Sequence, residues 1–230
     1  MRNLSITLSL LSLFWLASCQ GNSAKEADST TTEVTVEDGK GEVYVAQYAS
    51  AAVYAGKTEY QFIGEDGQDF LISDGNEEEK SIKTPDNLLE DPDEIDDLPG
   101  ANPILIGKKF ELHKNAEGKF TEFKLVEGQK IYEKAILAEY VSAAQYPMDM
   151  QYYFTNLSDG EDFTIYVSYD EETPSKKMPA ELLENPGDLP EDETMVGPNE
   201  KVIGWYYIIS YEGEQIKEVH AVPGQTYNEG

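Results

Sequence analysis

The sequence predicts a mainly β protein made of two copies of one small domain, and three observations carry that expectation. A string of residues recurs at a constant offset, short aromatic or β-branched runs alternate with polar residues inside each copy, and Asp-Gly and Glu-Gly pairs separate those runs at hairpin spacing. The recurrence is explicit. Tyr48-Ala49-Ser50-Ala51-Ala52-Val53-Tyr54 aligns with Tyr140-Val141-Ser142-Ala143-Ala144-Gln145-Tyr146, and the same offset carries Tyr60 and Phe62 onto Tyr152 and Phe154. Asp66-Gly67-Gln68-Asp69-Phe70 is then matched by Asp159-Gly160-Glu161-Asp162-Phe163, and Pro85, Leu88, Leu89 and Glu90 by Pro179, Leu182, Leu183 and Glu184. Gly107, Glu117-Gly118 and Gly128 find counterparts in Gly204, Glu212-Gly213 and Gly224. The copies span 42–129 and 130–226. A domain of that size buries only about 60 to 65% of its unfolded surface, so the two are expected to pack together.

Each copy divides at its turns into five strands. Val43 to Tyr54 and Ile136 to Tyr146 open the copies as long apolar-aromatic runs. A short aromatic strand follows, Tyr60 to Ile63 or Gln151 to Thr155, and Asp66-Gly67 or Asp159-Gly160 supplies the tight turn of a hairpin. The third strand is Asp69 to Ser73 or Asp162 to Ser168; in the latter Phe163, Ile165 and Val167 alternate with Thr164, Tyr166 and Ser168, the period of a half-buried strand. A short helix should come next, with Thr84 as N-cap and Pro85 at its first position, echoed by Pro179. Lys108 to Lys114 and Gly204 to Tyr211 make the fourth strand, Phe120 to Val126 and Ile216 to Val222 the fifth. The Ala-rich stretches at Ala49 to Ala52 and Ala143 to Ala144 offer a rival helical reading. Val43, Val45, Ile136 and the paired tyrosines weigh against it, because such residues pack well on a pleated surface.

Three strands, a short helix and two strands resemble the order of the OB-fold, a small Greek-key barrel. The resemblance implies two tandem OB-like five-stranded barrels or sandwiches, each with a short helix.

Ahead of the repeats, Met1-Arg2-Asn3 precedes an apolar stretch from Leu4 to Leu16. That is shorter than the roughly 20 residues of a membrane-spanning helix, and it fits a signal peptide over residues 1–18. Leu16-Ala17-Ser18-Cys19 resembles the lipobox of bacterial lipoproteins. The resemblance implies cleavage before Cys19, a thioether-linked diacylglycerol on its sulfur and a further N-acyl chain such as palmitate. One acyl chain holds only marginally, whereas two or three anchor stably. Gln20 stands where the family's inner-membrane retention signal is an aspartate, which implies the outer membrane. Lys25-Glu26 and Asp28 resemble the acidic surface-export signals of Bacteroidota lipoproteins, and Asp28-Ser29-Thr30 resembles their O-glycosylation acceptor. Residues 19–41 are otherwise Ser, Thr, Glu, Asp, Lys and Gly without apolar periodicity. That composition makes a disordered tether with a reach of about 25 Å.

The formal charge of the whole chain is −28, with 45 acidic against 17 basic residues. Cleavage before Cys19 removes Arg2 and makes it more negative still. Nucleic-acid binders need a basic footprint to displace counterions, so nucleic acid is excluded as a partner. The acidity gathers between the third and fourth strands. Asp86, Glu90, Asp91, Asp93, Glu94, Asp96 and Asp97 surround Pro92 and Pro99, and Glu181, Glu184, Asp188, Glu191, Asp192 and Glu193 flank Pro186 and Pro190. Ca²⁺ takes six to eight oxygen ligands, which makes Asp91, Asp93, Asp96 and Asp97 its candidate ligands. The spacing is not that of an EF-hand, because Ile95 stands where a third acid belongs and no Gly follows. A solvated acidic loop is the preferred reading, with no cofactor expected.

Catalysis finds little support. His113 and His220 are the two histidines and fall at non-equivalent places, so a site shared by both copies cannot use them. No Gly-x-Ser-x-Gly elbow occurs, and Gly100 to Gly107-Lys108 is too widely spaced for a phosphate loop. With the single cysteine acylated, no thiol nucleophile or Cys-based metal site is left. Glycosidase-type carboxylate pairs remain open in so acidic a chain. Among the 15 tyrosines, most of Tyr48, Tyr54, Tyr140, Tyr146, Tyr152, Tyr153, Tyr206 and Tyr207 are expected to be barrel wall and inter-repeat filler. The alternative for exposed tyrosines is a protein or glycan contact surface. The function expected is that of a non-enzymatic envelope lipoprotein binding a protein partner at the outer membrane. A glycan- or Ca²⁺-binding module, or a carboxylate-based glycan hydrolase, is the alternative.

Overall fold

The computed structural model describes residues 41–75, 81–90, 100–169, 176–184 and 195–226. All of them belong to one compact unit within Thr32–Gly230. The architecture is mainly β, with two five-stranded antiparallel sheets. The first holds β1 (Val43–Tyr54), β2 (Lys57–Gly64), β3 (Asp69–Gly75), β4 (Lys109–Lys114) and β5 (Phe120–Leu125) in the order β3-β2-β1-β4-β5. The second holds β6 (Lys134–Gln145), β7 (Asp149–Asn156), β8 (Asp162–Ser168), β9 (Tyr206–Glu212) and β10 (Gln215–Ala221) in the order β10-β9-β6-β7-β8. The two orders are the same once each repeat is numbered from its own start.

The duplication extends to single hydrogen bonds. A register shift falls between Tyr48 and Ser50 and again between Tyr140 and Ser142. Such bulges bend and twist a long strand. Val43 to Gln47 of β1 pairs with β4, and Ala46 to Tyr54 pairs with β2. The Ala-rich runs lie inside these strands, so the helical reading of them is wrong: β-branched and aromatic neighbours outweigh the intrinsic preference of alanine. The Tyr48 hydroxyl donates to the Leu88 carbonyl at 3.0 Å, and the Tyr140 hydroxyl to the Leu182 carbonyl at 2.7 Å.

Alternation places the cores. In β2, Thr58, Tyr60 and Phe62 are buried while Lys57 is exposed and Glu59 and Gln61 are half-buried. Phe62 centres an aromatic cluster, with ring centroids 5.3 Å from Tyr48, 5.7 Å from Phe110 and 4.9 Å from Phe123. Phe154 does the same in the second repeat, 5.5 Å from Tyr140 and 6.0 Å from Tyr207. Tilted and edge-on pairs of this kind add about 0.5–1.5 kcal/mol each beyond area burial.

Two expectations need correction. The sheets are open and do not close as barrels. The chain leaving β3 contributes a single parallel bridge, Lys83 to Glu122 on β5, and its counterpart is Lys177 to Glu218 on β10. In the first repeat the cause is visible. The buried Asp74 carboxylate accepts from the backbone N–H groups of Gly75, Ser81 and Ile82 and from the Ser81 hydroxyl, at 2.8–3.0 Å. This ends β3 and sends Ile82 into the core, leaving one residue to reach β5. The short helix is likewise less than expected. Pro85 begins a turn closed by Leu88 N–H at 3.2 Å. Ala180–Leu182 is one 3₁₀ turn, with Pro179 as its N-terminal cap in extended conformation and not its first helical residue.

The repeats join through β9. In β4, Phe110 and Leu112 point inward while Lys109, Glu111 and His113 are half-buried. The matching run Tyr207-Ile208-Ile209 is buried throughout. Tyr207 and Ile209 serve the second core. Ile208 belongs to the first, with Ala135, Leu137 and Val222 packed against it.

Candidate functional site

Cys19 and the candidate Ca²⁺ ligands Asp91, Asp93, Asp96 and Asp97 lie outside the described residues. What is described is the neck from which each acidic loop emerges. The Glu90 N–H donates to the Gly100 carbonyl at 3.0 Å and the Glu184 N–H to the Gly197 carbonyl at 3.1 Å. Asn102 and Asn199 brace these necks equivalently, their side-chain amides donating to the Asn87 and Glu181 carbonyls at 2.9 Å. Among the described residues, no group of three or more His, Cys, Asp or Glu side chains is placed to hold a metal ion.

The histidines are separate, as their spacing implied. His113, on β4, lies 3.2 Å from a Glu111 carboxylate oxygen. His220, on β10, sits in the seam with Nε2 3.1 Å from the Ile106 carbonyl, and a Cβ on Gly107 would come within 2.7 Å of that nitrogen. Burial lowers the His220 pKa from its ordinary 6.5, opposed by the bond to Ile106. Beside it lies a cleft of about 400 Å³ lined by Gln47, Lys108, Trp205, Glu218, His220 and Gln225, among others. Its polar groups are largely committed. Gln225 accepts from the Tyr206 N–H and donates to the Tyr206 and Val222 carbonyls. Lys177 pairs with Glu218 at 3.4 Å, and the Lys108 ammonium lies 5.7 Å from the centroid of the Tyr132 ring. Gln129 repeats the Gln225 clasp in the first copy, bridging Lys109 and Val126. The cleft is therefore a joint between the repeats.

The tyrosines divide clearly. Tyr48, Tyr60, Tyr140, Tyr152 and Tyr207 are core. Burial raises the pKa of Tyr48 and Tyr140 and pushes Tyr152 up to about 12. Tyr54, Tyr146, Tyr166, Tyr169 and Tyr206 are exposed. On the outer face of the second sheet, the half carried by β7 and β8 bears Tyr153 and Tyr166, and Tyr146 follows directly after β6. The half near β9 and β10 is covered at the seam. At the adjoining rim, the Tyr169 N–H donates to the Met148 carbonyl at 3.1 Å and the Tyr146 N–H to the Asp149 carbonyl at 2.8 Å. The Val196 N–H donates to Gln145 Oε1 at 2.8 Å, which brings Met195 to the same end. This exposed aromatic and methionine surface is the candidate site. Tyr166 and Tyr169 stood among the unassigned tyrosines of the sequence, and their departure from the first repeat was the signal for them.

Compared with known protein families, curated proteins and solved structures, the chain shows no match.

Proposed function

We propose that this chain is a lipid-anchored envelope protein that holds a protein partner at the outer membrane, as a non-enzymatic accessory subunit. In this reading Cys19 carries the acyl chains, residues 19–41 form the tether, and 42–129 and 130–226 are two modules of OB-like descent. The common strand order and the single parallel bridge in each support that descent. One observation carries the functional reading. After both cores and the seam are filled, large apolar side chains collect at one rim of the second repeat, where Tyr146, Met148, Tyr169 and Met195 are between 45% and 61% exposed. Tyr and Met are enriched, and Lys, Glu and Asp depleted, at the centres of protein interfaces. The charge of −28 on the rest of the chain would steer a basic partner toward the rim and repel acidic ones.

Crosslinking in membranes, mild detergent extraction and purification of the full chain test this. A stoichiometric partner should co-purify with the native chain and be lost from the Met148→Asp, Tyr169→Ser double variant, with the far-UV circular dichroism unchanged. Cys19→Ser should move the chain to the soluble fraction. Absence of any partner, or its full retention by the rim variant, would refute the proposal.

A further inference from the structure

The open face of the second sheet has an order that the rim lacks. The Tyr153 hydroxyl on β7 donates to Gln151 Oε1 at 3.0 Å, and the Gln151 amide donates to Asp149 Oδ1 at 3.1 Å. Tyr146 beside Tyr153, together with desolvation, raises the pKa of Tyr153. Three side chains of β7, Tyr153, Gln151 and Asp149, thus form a continuous chain from phenol to carboxylate. Tyr166 stands on β8 opposite Gln151 and is 53% exposed, with its carbonyl held by Lys176 Nζ at 2.7 Å. Tyr153 pairs with Thr164, so Tyr153 and Tyr166 are diagonal neighbours with Cβ atoms about 7–8 Å apart. Between the rings lie an amide and a hydroxyl, both half-buried. Fixing such side chains ordinarily opposes binding, and here much of that ordering precedes the ligand.

The first repeat offers the same backbone with different contents. Gln61 stands for Tyr153, Ser73 for Tyr166 and Glu59 for Gln151, by strand register. These polar groups satisfy one another. Ser50 donates to Gln61 at 3.0 Å, Gln61 to Asp69 at 3.2 Å and Ser73 to Glu59 at 3.1 Å. Neither Gln61 nor Ser73 brings a ring to that face. The backbone therefore does not require the rings, and the exposure of Tyr166 beside the half-buried Tyr153 has to be explained by what meets them.

We propose that this face binds a neutral saccharide chain. A pyranose has apolar C–H faces and a rim of hydroxyls, so it fits ring faces interleaved with amide, hydroxyl and carboxylate groups. Tyr153 and Tyr166 stack on successive sugar rings, while Gln151 and Asp149 take the hydroxyls between them. Charge selects within the class: Asp149, at the end of the row begun by Tyr153 and Gln151, and a chain carrying −28 repel phosphates and uronates. A protein occupant would be expected to bury an apolar centre, and here the centre between the rings is amide and hydroxyl. The proposal goes beyond the rim reading and rests on Tyr153, Tyr166, Gln151 and Asp149, none of which the rim variant alters.

The test titrates the full chain in detergent micelles with neutral hexasaccharides of the β-glucan, mannan, xylan and chitin types, and with an acidic oligogalacturonate, by calorimetry. At least one neutral ligand should bind with a Kd between about 10 μM and 1 mM. Tyr153→Ala and Tyr166→Ala should each weaken it at least about tenfold, while Gln61→Ala in the first repeat and the rim variant leave it unchanged. The acidic ligand should bind more weakly. No heat with any neutral ligand overturns the proposal. So do unaltered affinity in the correctly folded Tyr153→Ala, Tyr166→Ala double variant, and a protein adduct at a photocrosslinker on residue 166 with no saccharide affinity. Loss of the co-purifying partner in the rim variant with saccharide affinity intact supports both readings separately.

Discussion

Replacing Gly107 with alanine tests the seam, and the duplicated chain supplies its own control. Gly107 has φ of +80°, and an added Cβ would lie 2.7 Å from His220 Nε2 and 2.9 Å from its Cδ2. Gly204, the counterpart, has φ of +83°, but its nearest contact would be Glu139 Oε1 at an ordinary 3.8 Å. Both N–H groups bond equivalent carbonyls, Gly107 to Tyr48 at 2.7 Å and Gly204 to Tyr140 at 2.8 Å. Forcing an L-residue into the left-handed region costs about 1–2 kcal/mol at either site. At Gly107 the imidazole must also withdraw from the Ile106 carbonyl, a hydrogen bond worth about 1 kcal/mol net, and repack. Gly107→Ala should therefore lose about 2–3 kcal/mol and Gly204→Ala about 1–2 kcal/mol. Urea unfolding of the Cys19→Ser chain, followed by Trp205 fluorescence and circular dichroism together, measures both. In the Gly107→Ala, His220→Ala double variant the excess should vanish, leaving a coupling of about 1 kcal/mol. Equal losses at the two glycines, or additivity in the double variant, would refute the packing of His220 against Gly107.

Three further outcomes are expected. Asp74→Ala removes the acceptor of four hydrogen bonds and should cost about 3 kcal/mol in the same urea assay, with Asp74→Asn losing less. Tyr48→Phe and Tyr140→Phe each delete a hydroxyl bond to a neck carbonyl; each should lose about 1 kcal/mol and speed amide exchange at Glu90 or Glu184 respectively. Because burial holds His220 below its ordinary 6.5, the folded chain carries less of this proton than the unfolded chain. The stability it contributes is complete above 6.5 and falls as pH drops through 6.5 toward the lowered folded value, by at most about 1.4 kcal/mol per pH unit. Lys108, Lys177 and Glu218 set the local field, and His220→Gln should flatten this component of the urea midpoint between about pH 7.5 and 5.5.

Strand positions were legible because period-two burial and repeated turns are local. β1 and β8 begin and end where the apolar alternation does, and β6 starts only two residues before Ile136. The openness of the first sheet was not legible, since Asp74 gathers donors from beyond β3 there, and no spacing encodes that. The polar clasps were hidden for a different reason. An amide such as Gln129 or Gln225 bonds a strand start about twenty residues away, and a single polar residue has no periodicity. Their signal was recurrence: Gly128-Gln129 and Gly224-Gln225 both close their repeats, as Asn102 and Asn199 both follow the acidic loops. The seam also left a mark, in the unbroken apolar run Tyr207-Ile208-Ile209, where the first copy has Phe110-Glu111-Leu112. A strand buried on both faces loses its alternation.

Where the two copies differ is therefore more informative than where they agree. Shared residues such as Tyr48 and Tyr140 account for a fold that either copy needs. Ile208 in place of Glu111 is an apolar gain that burial explains, since Ile208 lies wholly within the first core cluster. Tyr166 in place of Ser73 is also an apolar gain, yet its ring remains 53% exposed and contributes little to either core. Burying that ring stabilises only when something covers it. Nothing within the described fold does so, and beside it runs the ordered row of Tyr153, Gln151 and Asp149, the face proposed for a saccharide. The same comparison separates the two halves of one sheet face: the half near β9 fastens the repeats together, and the half on β7 and β8, with Tyr166 exposed, is the one proposed to meet a saccharide.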